Sequence, residues 1–252
     1  MGLKGVLLCC AVLWGCGGAP VVQKPAVTPA KPLTAVKPRP LYTLATPARK
    51  SYQPSQEMRY FLEVALGSEY GMANFSIKKW RHDLDIEVVG TPTEEDLRTV
   101  DRVIADLNLL IGPSVQMRRV AGGGNVRLHF VPHQEFYHYE PRGIVFYGGF
   151  FWGWWNTAGE IERARVVIGS DRMDQHLRNH YIREELTQIL GLMNDSHKHP
   201  DSIFYQEYSE TDHFSELDQR VIRMLYNRMV RPGMTDFQLM EILGELEKTA
   251  LR

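Results

Sequence analysis

Glu184 and Glu185 stand side by side, Gln188 follows one helical turn after Glu184, and Asn194-Asp195 comes just past Gly191. Side chains of these types at this spacing suit two chemistries. Adjacent carboxylates in a cleft repel each other and lose water, which raises a carboxyl group toward the range a general acid or base needs. Glu185 would then be the base, with Gln188 polarising a carbonyl. Alternatively, Glu184, Gln188, Asn194 and Asp195 form an oxygen-rich donor set, which suits Ca²⁺ or Mg²⁺ better than Zn²⁺. Neutral amide oxygens are weak zinc ligands, so the sequence argues against a zinc cofactor and names no other. His180, one turn before Glu184, either shares an ion with it or forms an i, i+4 pair worth about a few tenths of a kcal/mol.

These residues need a helix to position them. On a 3.6-residue period Ile182, Leu186, Ile189 and Met193 form one apolar stripe. His180, Glu184, Gln188 and Gly191 fall on the other side, with Glu185 at the boundary. The pattern predicts a helix over 174–192 that buries one face and offers a polar line to a cleft, ending at Gly191. A solvated outer face is the plainer reading of the same periodicity.

The run Glu184-Glu185-Leu186-Thr187-Gln188-Ile189-Leu190-Gly191-Leu192-Met193-Asn194-Asp195 resembles the active-site helix of metzincin-type zinc peptidases, H-E-x-x-H-x-x-G-x-x-H. The resemblance puts Glu185 at the general-base place and Glu184, Gln188 and Asn194 where three His ligands would stand. Ser202-Ile203-Phe204-Tyr205 falls where that family has its Met-turn, with Phe204 for the Met. A closer resemblance, over nearly the whole of 56–252, is to a bacterial family catalogued as domain of unknown function 2927, several of whose members are classed as lipoproteins. It rests on Gly67-Ser68-Glu69-Tyr70-Gly71, Ile77-Lys78-Lys79-Trp80, the E-E-x-x-Q…N-D run, Asp201-Ser202-Ile203-Phe204 and Arg231-Pro232-Gly233-Met234. Together the resemblances imply an α+β, zincin-like fold with a small mixed sheet, packed helices and a cleft-facing helix, its peptidase zinc chemistry lost. In the metzincin arrangement an edge strand borders the substrate cleft, and 161–168 is the strand expected there.

The ends of the chain speak to its compartment. Lys4 and the short apolar run Gly5 to Trp14 read as a leader over 1–15, too short for the ~20 residues that span a bilayer. Leu13-Trp14-Gly15-Cys16 resembles a bacterial lipobox, which makes Cys16 the lipidated first residue of the mature chain. The plain alternative is an ordinary signal peptide cut near Gly18. With Cys9 and Cys10 removed, no disulfide can form within the mature chain. Residues 16–55 hold eight of the 14 prolines and no acidic residue, a semi-extended tether. The rest, 56–252, reads as one domain with 22 basic against 30 acidic residues, a charge of −8 that disfavours nucleic acid. The expected place is the outer membrane, facing the periplasm.

Within the domain, Leu84 to Val89 alternates like a strand, and Thr93-Glu94-Glu95-Asp96 opens a helix stopped by Gly112-Pro113. Strands are expected at 115–120, 125–131 and 161–168, and helices at 58–66, 215–227 and 235–249. The stretch Phe146 to Asn156 holds Trp152, Trp154 and Trp155 among glycines. It reads either as a core flap or as an exposed lip for peptide, glycan or partner protein. No phosphate loop, dinucleotide fingerprint or G-x-S-x-G is present. The expectation is a lipid-anchored envelope module that receives an extended peptide or envelope protein. A hydrolase built on Glu185, with an atypical metal or none, is the alternative.

Overall fold

A computed structural model describes residues 53–67, 75–139 and 148–250. The leader, Cys16 and the tether up to 52 lie outside the described residues, as do 68–74 and 140–147.

The order of elements is α1 (Gln56–Leu66), β1 (Lys79–Trp80), β2 (Leu84–Gly90), α2 (Glu94–Ile111), β3 (Met117–Val120), β4 (Val126–Val131), β5 (Gly149–Trp155), β6 (Glu160–Gly169), α3 (Gln175–Gln188), α4 (Glu216–Tyr226) and α5 (Asp236–Ala250). The helix starts obey local chemistry. Thr93 and Asp96 form a reciprocal capping box at α2, and Ser215 and Asp218 form another at α4. Gly112, at φ 74, ends α2.

The strands form one sheet in the order β1-β6-β4-β2-β3, all parallel, with β5 antiparallel on the other side of β6. Parallel strands need crossovers, and α2 supplies the one between β2 and β3. Leu84 and Ile86 of β2, Leu128 and Phe130 of β4 and Val166 and Ile168 of β6 share a fully buried face. Against it pack Val100, Val103 and Leu107 of α2 and Ile182 and Leu186 of α3, in one continuous core. The result is a mixed α/β domain with a largely parallel sheet.

Three expectations need correction. The strand at 161–168 is not an edge: β4 lies along one side of β6 and β5 along the other. The aromatic stretch, absent from the strands expected above, forms β5 over seven of its residues, Gly149–Trp155. The helix expected over 174–192 is α3, Gln175–Gln188. Its last turn tightens, with Leu190 donating to Thr187 O and Gly191 to Gln188 O before Gly191 reverses the chain at φ 117.

Candidate functional site

The stripe Ile182, Leu186, Ile189 and Met193 is buried as its period requires. The opposite side of α3 is buried too. His180, Glu184, Glu185 and Gln188 are only 4%, 8%, 5% and 2% exposed. This side is therefore not an open polar line on a cleft, and the physical reason is that polar partners arrive from elsewhere in the chain. Toward α2, Gln175 Nε2 donates to Asp96 Oδ1 at 2.8 Å, Thr99 Oγ1 donates to Asn179 Oδ1 at 2.8 Å, and Arg183 pairs with Asp106 at 2.9 Å. Such pairing is what permits burial of charged groups.

The candidate residues fall into three local groups. His180 Nε2 lies 3.3 Å from Glu184 Oε2, and its Nδ1 lies 2.7 Å from Thr211 O. Glu185 points instead at β5: a Cβ added at Gly149 would lie 3.0 Å from Glu185 Oε1. Beside it, a Cβ on Gly148 would meet the Tyr181 ring at 1.9 Å, so this Gly-Gly pair is what lets β5 lie on α3. Burial, then the charges of Glu184 and Glu185, pushes the Tyr181 hydroxyl up to about 12. In the third group Gln188 Nε2 donates to Asp195 Oδ1 at 2.7 Å. Asn194 turns away, its N–H donating to Val64 O and its side chain filling the space left by Gly67 at the end of α1.

Burial alone would lower the His180 imidazole. The hydrogen bond and charge of Glu184, helped by Thr211 O and Glu210, outweigh it and raise the group above its usual value of 6.5. A raised histidine stabilises the fold fully below the unfolded value and loses that contribution as pH climbs through the folded one. The melting temperature is therefore expected to fall as pH rises above about 6.5, and this slope should be missing in His180→Gln. A parallel pH course in both proteins would show that the His180–Glu184 pair carries no such linkage.

The three tryptophans do not form one lip. Trp152 and Trp154 share a face of β5, and Trp152 packs beside a small cluster of Val131, Phe136, Phe150 and Val167. Arg163 lies 4.3 Å from the centre of the Trp154 ring. An irregularity between Trp154 and Trp155 turns Trp155 elsewhere, 45% exposed beneath Lys78 Nζ at 5.2 Å.

Among the described residues no three His, Cys, Asp or Glu side chains converge to hold a metal ion. Glu184 is engaged by His180, and Asp195 by Gln188. The open feature lies next door. Gly169 N–H donates to Gly148 O, and the alternation of an antiparallel ladder then directs the backbone groups of Phe151 and Gly153 away from β6. Among the described residues no strand pairs with that outer edge. Sequence reasoning gave no role to Tyr181, Gly148 or Gly149, although Gly-Gly ahead of an aromatic run is a signal of close backbone approach.

Fold and site together define an α/β domain in which an antiparallel edge strand lies across a helix carrying a buried polar set. The chain belongs to the family described as Protein of unknown function (DUF2927), whose model matches residues 54–245. No curated protein matches the chain.

Proposed function

We propose that this protein is a lipid-anchored module of the bacterial cell envelope that binds an extended peptide or protein segment along β5, on a zincin-like scaffold without peptidase chemistry. The observation that carries the reading is the outer edge of β5, with Phe151 and Gly153 presenting N–H and C=O groups and tryptophans on the adjoining faces. Unpaired edge groups are what strand addition uses, main-chain bonds giving affinity and flanking side chains giving selectivity. The scaffold reading is supported by the order of elements, with the only antiparallel strand among the described residues bordering the E-E-x-x-Q helix. The loss of chemistry is supported by the burial of Glu184, Glu185 and Gln188, since a hydrolytic centre must admit water and substrate. The anchor rests on Leu13-Trp14-Gly15-Cys16. Among the described residues no helix is long and apolar enough to cross a membrane.

The test is selection of random dodecapeptides on the full chain, followed by titration into wild type and Gly153→Pro. Proline removes one outward N–H and leaves the β5–β6 bonds intact. A Cβ at Gly153 would lie 3.4 Å from Met193 Cε and 3.8 Å from the Trp155 ring, ordinary contacts that the strand tolerates. Affinity should fall at least about tenfold with an unchanged melting temperature. Equal affinity in the two proteins would reject β5 as the docking edge.

A further inference from the structure

The opposite side of the sheet from the core carries a cationic and aromatic row that the reading above does not use. The register sets Trp152 beside Arg165 and Arg165 beside Arg127, while Trp154 pairs with Arg163. The Arg165 guanidinium lies between the rings of Tyr139 and Trp154, 5.7 Å from each centroid, and the Arg163 guanidinium sits over Trp154. Rings in this position hold a guanidinium without neutralising it. Arg165 Nη2 also donates to Tyr139 O at 2.7 Å. Among the described residues neither Arg163 nor Arg165 has a carboxylate partner, and Arg127 has only Glu87 at 3.7 Å. In a domain that carries a net charge of −8, this row is a local reversal of sign.

Three buried polar atoms on the same face lack hydrogen-bond partners among the described residues: Arg165 Nε, Trp152 Nε1 and His129 Nδ1. His129 is nine-tenths buried, and its ring lies 4.8 Å from that of Tyr139. Buried unsatisfied atoms are uncommon, and a group of them points to a ligand that supplies the missing partners. Burial, with the charges of Arg165 and Arg127, holds the His129 imidazole below its usual value, as a positive local field requires.

We propose that the segment docking on β5 is acidic, with carboxylate side chains at alternate positions that pair with Arg163 and Arg165. The inference rests on the reading of β5 as the docking edge. Because Arg163 reaches over Trp154, its charge is carried from β6 out to β5, one strand spacing of roughly 4.8 Å from an added strand. Arg163 and Arg165 are two residues apart on one strand, roughly 7 Å, which is the repeat of same-face side chains in any extended partner. Guanidinium groups favour carboxylates by charge and by paired N–H donors.

The experiment titrates labelled octapeptides of alternating Glu and Thr, Gln and Thr, or Lys and Thr into the full chain at low salt, read by fluorescence anisotropy. The Glu peptide should bind about tenfold or more tightly than the Gln peptide, and the Lys peptide should not bind. Arg163→Gln, a change at an exposed side chain, should remove most of the Glu preference while the melting temperature holds. Gly153→Pro should weaken the Glu peptide as well. Equal binding of all three peptides, each lost in Gly153→Pro, would overturn the acidic specificity and leave the edge reading standing. Binding of the Glu peptide that needs Arg163 but ignores Gly153→Pro would overturn the proposed pose together with the edge reading. Binding to phosphatidylglycerol vesicles and to none of the peptides would overturn the proposal in favour of an anionic surface.

Discussion

Replacing Cys16 with Ala is expected to move nearly all of the protein from the membrane fraction to the soluble fraction. The expectation follows from Leu13-Trp14-Gly15-Cys16 and from a preceding apolar run too short to span a bilayer. Each buried acyl CH₂ contributes about 0.8 kcal/mol, so several chains on one cysteine hold a protein where a single chain is marginal. Among the described residues no helix is long and apolar enough to cross a membrane. Fractionation of wild type and variant, with the mass of the N-terminal peptide, reads the result. Unchanged membrane partitioning with an unmodified Cys16 would remove the anchor from the account.

Gly191→Ala should be among the most damaging single substitutions in the domain. Gly191 adopts φ 117, where a Cβ is strained whatever the surrounding space. Here there is no space: the added carbon would lie 2.0 Å from Lys78 O. That carbonyl is backbone next to β1, which pairs with β6, so yielding would disturb the sheet. Strain and forced displacement together should cost about 3–5 kcal/mol, a large share of a typical domain's stability. Gly122→Ala is the matched control, since nothing lies within 4 Å of its Cβ position. Urea unfolding of the two variants decides. A Gly191→Ala midpoint equal to that of Gly122→Ala would show that the turn after α3 is plastic.

Several elements were legible in the sequence because their signals are local. The helix start at Thr93 to Asp96 and the Gly112-Pro113 stop bound α2 correctly, and Ser215 marks the start of α4. The apolar stripe of α3 was legible for the same reason. Its polar side was not, because burial of Arg183 and His180 depends on Asp106 and Thr211, brought together only by the fold. Strand neighbours are likewise not local. Residues 161–168 read well as a strand, but nothing in their pattern reveals that the aromatic run before them pairs alongside and takes the edge. That run hid its strand behind Gly149 and Gly153, which depress strand propensity while allowing Glu185 and Met193 to come close. Gly67 and Asn194 belong to motifs that were visible in sequence, and their contact explains the pairing as packing rather than as ligation.

The central claim is that β5 receives a strand on its outer edge. Residue-resolved amide exchange on the full chain, with and without a selected peptide, tests it most directly. Strand addition predicts a pattern in the amides of one strand. Phe151 and Gly153, whose N–H groups face outward, should gain at least about tenfold protection, while Phe150 and Trp152, already bonded to β6, should change little. Protection that leaves Phe151 and Gly153 unchanged while the peptide is bound would contradict the account.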